Sequence, residues 1–306
     1  TLSLHDALPI YIKISSNDYI NRYTSAKGNT THLYDSDYVA AVAYYEPGKR
    51  YAVDKGVFYL KGDYRTKFKY TFTKLAPQTN YCRGKAVTLA KNAKKFGEVW
   101  VVAPDKERSG VSHAVHFREP VEAWRVDFPV EGAAAFACSG TPGDCVRIGV
   151  LNIVPGKPDF VFSGINYGYN VASDLQYSAT AGGAFEASFQ GVHTIAFSED
   201  ANPDHRVTDM YIEGITERLM KEPPRANTIW NVNFPCCDPE TLKGTLWDTT
   251  VSPGVLFEDI YEETKISDTR TAYMVKGIRK YEAEEGTDLF AVLNNYISVG
   301  VARNVI

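Results

Sequence analysis

Glu98-Val99-Trp100-Val101-Val102-Ala103-Pro104 is a short apolar run stopped by a proline, the pattern of a strand buried in a parallel sheet. Three further runs have the same character: Pro158 to Gly164, His193 to Ser198, and Ile229 to Pro235. Segments with helical spacing separate them. Val87 to Phe96 sets Val87, Leu89, Ala90 and Ala93 against Lys91, Lys94 and Lys95. Thr141 to Val154 opens on Pro142, a residue suited to a first helical turn. Thr180 to Gln190 is small and apolar and meets Gly191 as a C-terminal cap. Thr208 to Lys221 carries Met210, Ile212, Ile215 and Leu219 and stops before Pro223-Pro224. Strands alternating with helices predict an α/β domain, an open parallel sheet covered on both faces. Residues 244–282, with Pro253-Gly254 and β-branched runs, read as hairpins projecting from that core; Gly286–Tyr296 and Ile297–Val301 supply a last helix and strand.

The chain before residue 87 has different chemistry. Residues 1–86 hold 13 Lys/Arg against 7 Asp/Glu, whereas the remainder holds 20 against 30. Twelve of the 20 tyrosines also lie before residue 87. Residues 1–10 resemble one reading frame of a sequencing-adapter oligonucleotide and are set aside as an artefact, His5 and Asp6 included. Residues 11–86 read as a basic, tyrosine-rich β segment. Lys67 to Thr73 alternates as a half-wet strand, with turns at Glu46-Pro47-Gly48-Lys49 and Lys61-Gly62-Asp63. The acidic main body argues against a nucleic-acid polymer as ligand, because phosphate neutralisation needs basic surface. No apolar stretch is long enough for a membrane helix, and the start lacks a basic secretory n-region. Five cysteines without a C-x-x-C pair point away from disulfides and structural zinc, toward a reducing cytoplasm.

In an open α/β sheet, ligands sit beyond the carboxyl ends of the strands. There the sequence places Ala103 to His113 after the first run and Ser163-Gly164-Ile165-Asn166-Tyr167-Gly168-Tyr169-Asn170 after the second. Tyr177-Ser178-Ala179-Thr180 leads into a helix and offers hydroxyls beside free backbone N–H groups, a ready anion site. Ser139-Gly140-Thr141-Pro142-Gly143-Asp144-Cys145 opens another helix in the same style, with Cys145 read as core. Hydroxyls, asparagines and glycines at one edge suit a phosphate and a hard, oxygen-seeking cation. His113 and His116 have no partner fixed by spacing.

These segments together resemble the SurE family, the stationary-phase survival proteins, phosphatases of nucleoside monophosphates. The matching strings are Ala103 to Gly110, Cys138 to Val146, Ser163 to Asn166, Tyr177 to Thr180, and Glu285 to Asp288 with Tyr296 to Val299. The resemblance spans residues 87–306. It implies a Rossmann-like three-layer α/β/α sandwich and a protruding β-hairpin arm that builds a homodimer or homotetramer. It also implies one divalent metal ion, Mg2+ or Mn2+, polarising a phosphoryl group. Ser109 and Asn166 look like metal ligands through their side-chain oxygens; Asn170, Ser178 and Thr180 look like phosphate contacts. Ala179 stands where the family has glycine.

One family feature is missing. Members begin with an apolar strand ending in Asn-Asp-Asp-Gly, whose two aspartates are the anionic metal ligands, and no such string occurs here. Tyr81-Cys82-Arg83-Gly84 occupies its place ahead of Val87. The nearest echo, Tyr11 to Asp18, lies about seventy residues early, with Tyr19 after Asp18. Neutral oxygens alone bind hard dications weakly. The sequence therefore predicts a metal-dependent phosphomonoesterase impaired by loss of its aspartate pair, or a non-catalytic nucleotide binder descended from one. A small-molecule or dinucleotide-binding reading ranks last, for want of a G-x-G-x-x-G turn after any strand and an acidic residue about twenty positions on.

Overall fold

A computed structural model describes residues 86–202 and 204–304, together with five short strands ahead of them. The chain divides into two compact units, Thr1–Gly84 and Lys85–Ile306. In the first, β1 (Tyr23–Ser25), β2 (Val39–Ala41), β3 (Arg50–Val53), β4 (Gly56–Leu60) and β5 (Thr71–Thr73) are described. β4 pairs antiparallel with β1 and with β3, and β2 pairs antiparallel with β5. Only Thr71–Thr73 of the alternating Lys67–Thr73 run is described. Asp18, residues 1–10 and both proposed turns lie outside the described residues.

The second unit opens with helix α1 over residues 86–93, ending three residues before Phe96. Next come β6 (Val99–Pro104), β7 (Ala123–Val126), β8 (Ala133–Cys138) and α2 (Pro142–Ile148), the last continuing as a π-helical turn Gly149–Ile153. Then follow β9 (Phe160–Tyr167), α3 (Asp174–Tyr177), α4 (Ala179–Phe189), β10 (His193–Glu199), α5 (Arg206–Lys221) and β11 (Thr228–Phe234). Last are β12 (Thr245–Trp247), β13 (Phe257–Ser267), β14 (Arg270–Arg279), α6 (Asp288–Leu293) and β15 (Ile297–Arg303). The α/β class read from the sequence is the one observed. β8 escaped the sequence reading because Ala133-Ala134-Ala135 has poor strand propensity, and its pairing with β6 on one side and β7 on the other makes it extended.

β9, β10 and β11 run parallel, β15 is antiparallel to β11, and β12 is parallel to β15. Period-two alternation divides the side chains of this sheet by size. Ile195, Phe197, Trp230, Val232, Phe234, Ile297 and Val299 form one cluster with Leu89 of α1 and Ile212, Ile215 and Leu219 of α5. On the other face Ala196, Ile229 and Ala302 meet Ala181, Ala184 and Phe185 of α4. Small residues on that side let α4 approach the strands closely. Met210, read as part of the apolar face of α5, is instead 62% exposed, because the helix begins at Arg206 and turns Val207, Ile212 and Ile215 inward.

Among the described residues the sheet is not continuous. β6 pairs with β8, and β8 with antiparallel β7, as a separate three-stranded sheet. Yet α2 packs on β6 and against α4, and α4 packs on β9 and β10, so one helix layer spans both sheets. Among the described residues neither β6 nor β9 has a strand on its other edge. All six residues of β6 are half-buried, whereas all seven of β11 are buried. The sequence reading of β6 as a buried strand is thus corrected to a half-buried one, and among the described residues its second edge is unpaired. Hydrogen exchange checks this. Amides of β11 exchange slowly, and the β6 amides directed away from β8 exchange at least about a hundredfold faster. Equal protection along β6 would mean that its second edge is paired.

The arm is shorter than the sequence suggested. β13 and β14 form an antiparallel hairpin exposed at every residue except Arg279. Residues 244–256 belong to the body instead: β12 joins the main sheet, the Arg218 guanidinium lies 3.6 Å from the Trp247 ring centre, and Leu256 is buried. Among the described residues no helix is long and apolar enough to cross a membrane.

Candidate active site

The strand carrying Ser163-Gly164 does not end there. β9 continues through Tyr167, which puts Asn166 on the strand itself rather than in the following loop. Its register against β10 shifts between Ala196 and Ser198. Gly164 (φ +131°) makes this possible, because a Cβ there would stand 2.3 Å from the Phe197 carbonyl oxygen.

Asn166 lies at the centre of a neutral hydrogen-bonded cluster. Its Nδ2 donates to the Gly168 carbonyl (2.9 Å) and toward Asn170 Oδ1 (3.4 Å), and its Oδ1 accepts from Thr180 Oγ1 (3.3 Å). Asn170 is 3% exposed. Its backbone N–H donates to Asn233 Oδ1 (2.8 Å) and its Nδ2 to Ser198 Oγ (2.7 Å). Its carbonyl accepts from Asn231 Nδ2 (2.8 Å). Ser178 caps α4, its Oγ accepting from the Ala181 N–H (3.1 Å), and Ser163 Oγ donates to the Thr180 carbonyl (2.8 Å). The structure thus joins Asn166, Asn170 and Thr180 in one network, with Ser178 beside them at the N-terminus of α4. Such an end directs N–H groups and partial positive charge outward and suits an anion.

Ser109 is exposed in the loop after β6 and enters none of these bonds. The same loop is fastened against α4 a few residues on. Ser112 N–H donates to the Tyr177 carbonyl (3.0 Å) and Ser112 Oγ to the Gln176 carbonyl (2.6 Å). His113 Nε2 meets Glu186 Oε2 at 2.7 Å, and the same carboxylate takes a hydrogen bond from Gln190 and faces Arg147. His116 Nδ1 meets Asp144 Oδ2 at 2.6 Å, while Asp144 completes a capping box with Thr141 on α2. Burial pushes the Asp144 carboxyl up, but hydrogen bonds from His116 and Thr141 outweigh it and hold the group below its ordinary value. A Cβ on Gly182 would stand 2.4 Å from the Ser112 carbonyl oxygen, so glycine there lets the loop lie on the helix.

The sequence missed Ser198, Asn231 and Asn233, although Asn231-Val232-Asn233 carried a signal. Polar residues two apart on an apolar strand share one face. The partners of the histidines had none: Glu186 and Asp144 lie 73 and 28 residues away.

The described residues do not fit a hard dication. Among them no group of three or more His, Cys, Asp and Glu side chains is placed to hold a metal ion. Ser109 and Asn166 offer neutral oxygens, and Asn166 Oδ1 already accepts from Thr180. The Asp105 carboxylate at the end of β6 has a buried Oδ1 without a hydrogen bond, but Arg108 stands 3.8 Å from it. A single carboxylate beside a guanidinium is a poor cation ligand.

Residues 84–252 match the family described as Survival protein SurE. The chain is 35% identical over 211 residues to the 5'-nucleotidase SurE of Mesorhizobium japonicum, an alignment covering 66% of this chain and 81% of that protein. It is 36% identical over 218 residues to the 5'-nucleotidase SurE of a Thermoanaerobacter species, covering 69% and 83%. The crystal structure of the SurE protein from Aquifex aeolicus superposes with a TM-score of 0.60 at 32% identity, covering 71% of this chain and 86% of that one. The match falls on the unit that carries the asparagine cluster and the capped helix α4, and by it this chain belongs to the SurE family.

Proposed function

We propose that this chain is a nucleotidase by descent that binds nucleoside monophosphates at the N-terminus of α4 and hydrolyses them slowly. The observation that carries the reading is the cluster of Asn166, Asn170 and Thr180 beside the Ser178 cap. Its donors are neutral, fixed and gathered where an anion is favoured. Relatives named 5'-nucleotidase support the phosphomonoester class. Hydrolysis calls for one divalent cation, magnesium or manganese, toward which Ser109 and Asn166 are assigned. Those two oxygens hold it weakly without the aspartate pair. Residues 87–306 are read as the nucleotidase domain, residues 11–86 as an unrelated segment and residues 1–10 as adapter-derived. The hairpin of β13 and β14 is assigned to self-association, and the cytoplasm is assigned as the compartment on the odd number of cysteines without a C-x-x-C pair.

Phosphate release from AMP with added manganese, compared with a chelated control, tests the reading. The expected result is release at least about a hundredfold slower than that of a family member carrying both aspartates. Calorimetric titration with manganese is expected to give no tight one-to-one binding. Tight binding would overturn the impairment and point to Asp18 or another carboxylate. Failure to bind any nucleotide would overturn the site.

A further inference from the structure

Tyr177 is 63% exposed, although its backbone is among the best anchored near the site. Its carbonyl accepts from Ser112 N–H (3.0 Å), the preceding carbonyl accepts from Ser112 Oγ (2.6 Å), and the next N–H, of Ser178, donates to the Asp174 carbonyl (3.1 Å). Ser112 itself holds φ +54°, a costly conformation for a serine that these two bonds maintain. His113 and Glu186 fix the same loop one residue further along. Among the described residues no other ring packs on Tyr177. Its neighbours differ. Tyr169 is buried with its hydroxyl on Asp200, and exposed Phe117 already carries the Arg147 guanidinium 5.7 Å from its ring centre.

An open aromatic ring on an anchored backbone has only its own two side-chain torsions to order on binding a flat partner. Tyr177 also directly precedes Ser178, the cap of the helix end assigned to phosphate. A base lies one sugar away from its phosphate, so a ring adjoining the phosphate cap stands where the base of a nucleotide falls. We infer that Tyr177 is the stacking platform for the nucleobase and makes this site prefer nucleotides over phosphorylated sugars. The inference rests on the phosphate assignment above and deepens it, adding the source of specificity.

Calorimetric titration of the full chain with AMP and with ribose 5-phosphate separates the two claims, using wild type, Tyr177→Ala and Tyr177→Phe. Wild type is expected to bind AMP about tenfold more tightly than ribose 5-phosphate, the usual worth of one base on one ring. Tyr177→Ala is expected to lose that preference while keeping its affinity for ribose 5-phosphate, and Tyr177→Phe to retain the preference. An unchanged ratio in Tyr177→Ala overturns the inference. So does an equal loss of both ligands, which marks a structural role, or loss of the preference in Tyr177→Phe, which assigns it to the hydroxyl. If wild type binds ribose 5-phosphate and AMP equally, the stacking role fails while the phosphate site stands. If it binds neither, the phosphate site fails and the inference with it.

Discussion

Gly164→Ala is expected to cost about 4 kcal/mol of stability and to abolish nucleotide binding in whatever folded protein remains. Two effects add. The residue sits at φ +131°, where an L side chain is strained, and the new Cβ would lie 2.3 Å from the Phe197 carbonyl oxygen and 3.2 Å from the Asn166 N–H nitrogen. The obstacle is backbone in the middle of paired strands, so no flexible side chain can move aside. Relief requires β9 to separate from β10 at the place where Asn166 is presented to Asn170 and Thr180. Gly214→Ala supplies the contrasting control. It lies inside α5 with nothing within 4 Å of the added methyl, and there alanine is expected to stabilise by about 0.5–1 kcal/mol. Thermal and denaturant melts read both. A Gly164→Ala protein melting within a degree or two of wild type would refute the close approach.

Glu199→Gln is expected to stabilise the protein at high pH and to do little near pH 5. Glu199 ends β10, and its side chain turns to the α5 face, away from the asparagine cluster, to accept a hydrogen bond from Thr208. Burial, aided by the charges of Asp209 and Asp200, pushes its carboxyl up from the ordinary 4.5 to about 8, against the opposing pull of the Thr208 hydroxyl. His205 Nδ1 faces the same carboxylate at 3.6 Å. The folded value lies above the unfolded one, so the fold holds the proton more tightly. The stabilisation is complete below about pH 4.5 and is lost as the pH rises through about 8. Across that window the loss is on the order of 4 kcal/mol. Glutamine keeps the acceptor and carries no charge. The melting temperature of the variant should therefore exceed that of wild type by a margin that widens from pH 5 to pH 9. A constant margin would contradict the buried carboxyl.

The chain of residues by itself determined the α/β class, the order of the main strands and helices, and the family. The class and the order follow from local signals, short apolar runs, Pro142 at the start of one helix and Gly191 after the end of another, whereas the family follows from whole motifs such as Ala103 to Gly110 and Cys138 to Val146. The resemblance to the family's motifs marked Ser109, Asn166 and Asn170, and Ser178 and Thr180 also stood out as hydroxyls at the start of a helix. What the sequence left unspecified depends on contacts between distant segments. That Asn166 stands on a strand follows from the pairing of β9 with β10 past the register shift. The histidine–carboxylate clasps bridge loop and helix across 73 and 28 residues, a distance over which no spacing rule operates. The half-burial of β6, with no strand on its second edge among the described residues, was invisible too. Val99 to Ala103 is apolar enough to be buried on both faces, but whether a strand is central or at an edge depends on which strands lie beside it, and only the tertiary structure places them.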